Sequence, residues 1–88
     1  MADFKATCHT PDNNDADRRI QALGGSGWYK NIDNIIAEIE GGINRFSAVA
    51  KGTEVRIVVA KRSNGRKYLK TETDGIEPDN LLALPKCS

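Results

Sequence analysis

The amino-acid sequence predicts an α+β fold. It reads as a single small domain, residues 1–88, in which a mostly antiparallel sheet in the order β-β-α-β-β-β carries one helix packed on one face. Three observations predict this. Ile32, Ile35, Ile36, Ile39 and Ile43 recur at the i, i+3, i+4, i+7, i+11 spacing of one helix face. The segments before and after that stretch alternate apolar and polar residues with the period of two that marks a half-buried strand. Between the last two such segments stands Asn64-Gly65, the pair best suited to a type I′ hairpin turn, which needs positive φ at both central positions.

Taken in order, Asp3 to His9 predicts the first strand, with Phe4, Ala6 and Cys8 on one face and Asp3, Lys5, Thr7 and His9 on the other. Thr10 to Asp17 is rich in residues whose side chains compete for backbone hydrogen bonds, and predicts a mobile acidic loop. Arg18 to Leu23 predicts a second short strand, ended by Gly24-Gly25-Ser26-Gly27, where glycine permits positive φ. The isoleucine helix follows. Asn31 is its expected N-cap, Asp33 sits where the helix dipole favours negative charge, and Gly41-Gly42 supplies a left-handed stop. Isoleucine is not a strong helix former, so this helix depends on burying its stripe against a sheet. Trp28, just upstream, is expected to anchor the helix start.

Beyond the helix, Arg45 to Ala50 places Phe46, Ala48 and Ala50 on one face, and Lys51-Gly52-Thr53 turns the chain. Glu54 to Arg62 has Val55, Ile57 and Val59 as its inner face, with Arg56 opposite; Lys67 to Glu72 returns as its hairpin partner. The leucines of Asn80-Leu81-Leu82-Ala83-Leu84 are expected to close one end of the core.

The chain has 88 residues, 39% hydrophobic and 28% charged, which is ordinary globular composition rather than that of a disordered or membrane-embedded chain. No apolar run approaches the roughly 20 residues that span a bilayer. Met1 to Lys5 has neither the basic start nor the apolar stretch of a secretory signal, so a cytoplasmic protein is expected. In a reducing compartment Cys8 and Cys87 default to free thiols. A bridge between them would close nearly the whole chain and stabilise it by about 4–5 kcal/mol through loop-closure entropy. Nothing in the sequence requires that bridge, and it is the lesser of the two expectations.

Candidate chemistry is sparse. Cys8, His9 and Cys87 are one ligand short of a zinc site, and strand alternation sends Cys8 and His9 to opposite faces, leaving a small buried thiol and an exposed imidazole. The same alternation makes a Cys8–His9 nucleophile–base pair geometrically poor, and Cys87 could meet His9 only if the termini meet. Gly24 to Gly27 lacks the Lys-Ser/Thr of a phosphate loop, and Asp12, Asp15 and Asp17 lack calcium-loop spacing. No catalytic residue, metal site or cofactor is therefore expected, and the chain reads as a non-enzyme.

At the C-terminal half, Lys67-Tyr68-Leu69-Lys70-Thr71, then Asp74-Gly75, then Asp79-Asn80-Leu81-Leu82-Ala83-Leu84-Pro85-Lys86-Cys87 resemble the closing signature of a small bacterial family known as domain of unknown function 3892. Arg19-Ile20, Leu23-Gly24-Gly25, Trp28, the isoleucine helix and Gly41-Gly42 are also similar to that family's pattern, so the resemblance runs from about Arg18 to Cys87. It implies a bacterial or phage-borne protein, and no established activity or catalytic residues.

Charge layout is the feature that departs most from expectation. Arg45 to Lys70 holds eight basic residues and one acid, whereas the rest of the chain holds five basic and eleven acidic residues, so a net charge of +1 conceals a +7 segment and a −6 remainder. Arg56, Lys61, Arg62, Arg66, Lys67, Tyr68 and Lys70 form the candidate binding surface. Basic side chains around an exposed Tyr68 could neutralise phosphates and stack a base, which makes nucleic acid a candidate partner. The acidic remainder could instead pair with this patch within the molecule or across a dimer. The leading expectation is a non-enzymatic binding or assembly module that works through protein–protein contacts or self-association, with nucleic-acid binding at residues 61–70 as the alternative.

Overall fold

The computed structural model describes residues 2–50, 52–75 and 78–87. The α+β class holds, with strands prevailing and one main helix. Seven strands are described: β1 (Ala2–Ala6), β2 (Cys8–Pro11), β3 (Ile20–Gly25), β4 (Trp28–Asn31), β5 (Asn44–Ala50), β6 (Thr53–Lys61) and β7 (Lys67–Thr71). Helix α1 (Ile32–Glu40) separates β4 from β5, and one turn of helix, α2 (Asp79–Leu82), follows β7. The side chain of Ala50 and the turn residue Lys51 lie outside the described residues.

The strands form two sheets rather than the single sheet expected. One has the order β1-β5-β6-β7 and the other β2-β3-β4. Their separation begins at Thr7. This exposed residue interrupts the first predicted strand, and its N–H is taken by the carbonyl of Gly24 at 2.8 Å. The interruption moves the chain from one sheet to the other and reverses the alternation beyond it. His9 is consequently buried, with 4% of its surface exposed, and Cys8 is only half-buried. The exposed imidazole expected from simple alternation does not occur.

β1 runs parallel to β5, with Phe4 opposite Phe46 and Ala6 opposite Ala48, whereas β5–β6 and β6–β7 are antiparallel. The glycine-rich connection is half strand and half turn. Gly24 and Gly25 belong to β3, and the chain reverses through Ser26-Gly27, with Gly27 at φ +79°, into β4. Trp28 thus lies in a strand, where its ring meets Phe4 and Phe46 edge-on at 5.3 and 5.7 Å; Phe4 stacks on Phe46 at 5.2 Å.

The helix forms where the isoleucine spacing places it. The Asn31 side chain accepts the N–H of Asn34 at 2.8 Å, satisfying one of the donors a helix start leaves unpaired. At the other end Gly42 takes φ +67°, and the N–H groups of Gly42 and Ile43 return to the carbonyls of Ile39 and Glu38. This Schellman stop ends the helix before Ile43, which is 59% exposed and not on the buried stripe. Ile32, Ile35 and Ile36 are buried, and they join Ile20, Leu23, Phe46, Ile57, Leu69 and Leu81 in the core. Leu81 is part of this core, with Leu82 and Leu84 packed against it.

Candidate functional site

The β6–β7 hairpin turns through Asn64-Gly65, but of the two only Gly65 takes positive φ, at +88°, so the turn is not the type I′ expected. The Gly65 N–H returns to the Arg62 carbonyl at 2.9 Å, and the Asn64 side chain accepts the N–H of Arg66 at 3.0 Å. Its basic side chains are engaged by the acidic part of the chain. Arg66 meets Asp15 at 2.8 Å and Asp17 at 3.5 Å. Arg62 donates to the carbonyl of Asp17 at 2.8 Å, and the Asn64 side chain donates to the Asp17 carboxylate at 3.0 Å. Lys67 pairs with Glu40 at the helix end at 2.8 Å. Lys70 donates to the carbonyl of Asp74 at 3.1 Å, and Arg56 lies 3.8 Å from Glu72. Lys61, exposed on β6, has no ion pair among the described residues.

Tyr68 is buried rather than exposed. It is 3% exposed, and the Arg62 guanidinium lies 4.3 Å from its ring centre. A ring buried in this way offers no face on which a base can stack. The sequence places Tyr68 on the strand face opposite Leu69, but only the tertiary structure shows that this part of the face is covered.

The acidic stretch is held together by its own hydrogen bonds. The N–H groups of Asp17 and Arg18 both donate to the Asp15 carboxylate at 3.1 Å, and the Asp12 N–H reaches the Arg19 carbonyl at 2.8 Å. Partial burial pulls the Asp15 carboxyl up. The Arg18 N–H, the bond and charge of Arg66 and the Asp17 N–H outweigh that effect and hold it below its ordinary value. At Glu38, the hydrogen bond from Asn44, opposed by burial and supported by Lys30, likewise lowers the carboxyl.

The outward face of the four-stranded sheet is different in character. Asp3 and Lys5 of β1, Arg45 and Val49 of β5, and Glu54 and Arg56 of β6 are all exposed. Arg45 pairs with Asp3 at 2.9 Å and Lys5 with Glu54 at 3.2 Å. With the Arg56–Glu72 contact, the signs are mixed over this face, and Lys70, opposite Val58 on the same side, adds one further cation. Arg45, Ser47, Glu54, Arg56 and Glu72 border an open depression of about 630 Å³ on this side.

The two cysteines meet. Cys8 and Cys87 form a disulfide across 79 residues, so the free-thiol expectation is overturned. Sequence spacing could not show this, because the contact depends on the tail running alongside β2. The His9 N–H donates to the Pro85 carbonyl at 2.9 Å and the Cys87 N–H to the His9 carbonyl at 2.8 Å. Paired in this way, neither sulfur is a thiol nucleophile. Among the described residues, no three His, Cys, Asp or Glu side chains converge as a metal site, and no helix is long and apolar enough to cross a membrane.

Neither the curated proteins nor the solved structures yield a match to this chain. A family profile does match it, over residues 5–85, which include the end of β1, all other strands, both helices and the tail as far as Pro85. The chain belongs to the family described as "Protein of unknown function (DUF3892)".

Proposed function

We propose that this domain is a non-enzymatic assembly module that associates with a second copy of itself through the outward face of the four-stranded sheet. The observation that carries the reading is the mixed-sign charge pattern of Asp3, Lys5, Arg45, Glu54, Arg56 and Glu72 on that exposed face. A two-fold axis would set the carboxylates of one copy against the cations of the other, as a self-complementary patch requires. Exposed pairs of this kind contribute little within one chain, so exchanging partners across an interface costs little. The domain measures 32 × 27 × 23 Å, which gives a face on the order of the ~800 Å² that each partner contributes to a standard interface.

A polyanion fits this face less well, because carboxylates offset most of its cations. Nucleic-acid binding at the hairpin has also lost its stacking aromatic with the burial of Tyr68. Sedimentation velocity at tens of micromolar tests the proposal. A dimer is expected for the native chain, and a monomer for an Arg45→Glu/Arg56→Glu variant whose thermal unfolding shows it remains folded. A monomeric native chain would sink the reading. A salt-sensitive shift with DNA or RNA that is lost on reversing Arg66 and Lys67 would replace it with the alternative.

A further inference from the structure

We propose that the Cys8–Cys87 disulfide is a reducible clasp, which a dithiol opens to free the tail beyond Leu84 while the core stays folded. The tail has few other attachments. Pro85 and Lys86 are exposed, and two main-chain bonds tie the tail to His9 of β2 beside the bridge. Neither cysteine belongs to the hydrophobic core, which is built from α1, both sheets and Leu81. Losing the clasp therefore removes almost no buried apolar surface.

Neither cysteine is fully buried. Both are half-buried, and their sulfurs lie over Gly24 of β3, the residue opposite Cys8 in the sheet. A Cβ at Gly24 would come within 2.9 Å of the Cys8 sulfur and 3.2 Å of the Cys87 sulfur, so the missing side chain is what leaves room for the bridge. Partly exposed disulfides are the ones open to exchange.

His9 gives a separate reason for the open state to be accessible. It is buried with its Nδ1 unpartnered, and its backbone N–H and carbonyl carry both tail bonds. Departure of the tail lets water reach these groups, offsetting part of what is lost on opening.

The chemistry balances as ordinary thiol–disulfide exchange. One thiolate of the dithiol attacks a bridge sulfur, the S–S bond breaks, and the other cysteine leaves as a thiolate that takes up a proton. The reductant's second thiolate then attacks the mixed disulfide, releasing the second cysteine. The dithiol ends as a disulfide, having given up two electrons.

Dithiothreitol, applied to the native chain and followed by iodoacetamide labelling and amide hydrogen exchange, tests the clasp. Before reduction neither cysteine should label. After it, both should label, the His9 and Cys87 amides should lose their protection, and the amides of Ile57 and Leu69 should keep theirs. Labelling that appears only together with exchange at Ile57 and Leu69 would overturn the proposal, since the bridge would then hold the whole fold. Retained protection at His9 and Cys87 after full reduction would overturn it too, as would labelling without any reductant.

Discussion

Replacing Cys8 and Cys87 by serine removes a crosslink between residues 79 apart in the chain. In the chain-entropy description a loop of that length stabilises the folded state by about 4.5 kcal/mol, by restricting the unfolded ensemble. A domain of this size has a total stability of roughly 5–15 kcal/mol, so the loss is a large share of it. With an unfolding entropy of about 2 cal/mol/K per residue, the melting temperature should fall by about 20–25 °C. Thermal and urea unfolding of the oxidised native chain and the double serine variant, followed by circular dichroism, measures both quantities. The reduced native chain should behave like the serine variant. A loss below about 1 kcal/mol would refute the reasoning, either because the denatured chain is already compact enough that the crosslink restricts little, or because the bridge is not formed.

Two further outcomes follow from packing and charge. A Cβ at Gly25 would collide with the Lys5 carbonyl and with Trp28 Nε1, where β1 passes over β3. Gly25→Ala should therefore cost about 1–3 kcal/mol, read by urea unfolding, and shift the Trp28 fluorescence. Asp15 and Glu38 are held below their ordinary values when folded, so their stabilisation is complete above the unfolded carboxylate range of about 4 and is lost as pH falls through the lower folded values. Asp15→Asn should flatten the acid limb of a stability–pH curve; an unchanged limb would show that the Arg66 contact contributes nothing in solution.

Much of the fold was legible in local pattern. The isoleucine spacing, the Asn31 cap and the position of the Asn64-Gly65 hairpin each depend on nearest neighbours along the chain, and each stands in the structure, although the hairpin's turn is not of type I′. Periodicity misleads where one residue breaks it. Thr7 interrupted the first strand and turned His9 inward, and Gly42 ended the helix one residue before Ile43 could join its stripe. The candidate surface was legible as composition but not as geometry. Arg66 and Lys67 are basic in any context, but their partners Asp15 and Glu40 come from segments 51 and 27 residues away.

For this protein, then, the sequence by itself determined the class of fold, the position of the helix, the basic hairpin and the balance of +7 against −6. These follow from periodicity, turn stereochemistry and charge, all of which act over a few residues. Only the tertiary structure decided that the two charge blocks neutralise each other within one chain, that Tyr68 is covered, that the strands divide between two sheets, and that the ends of the chain are joined at Cys8 and Cys87. Each of these depends on which distant segments meet, and that is set by the burial of one shared core rather than by any local preference.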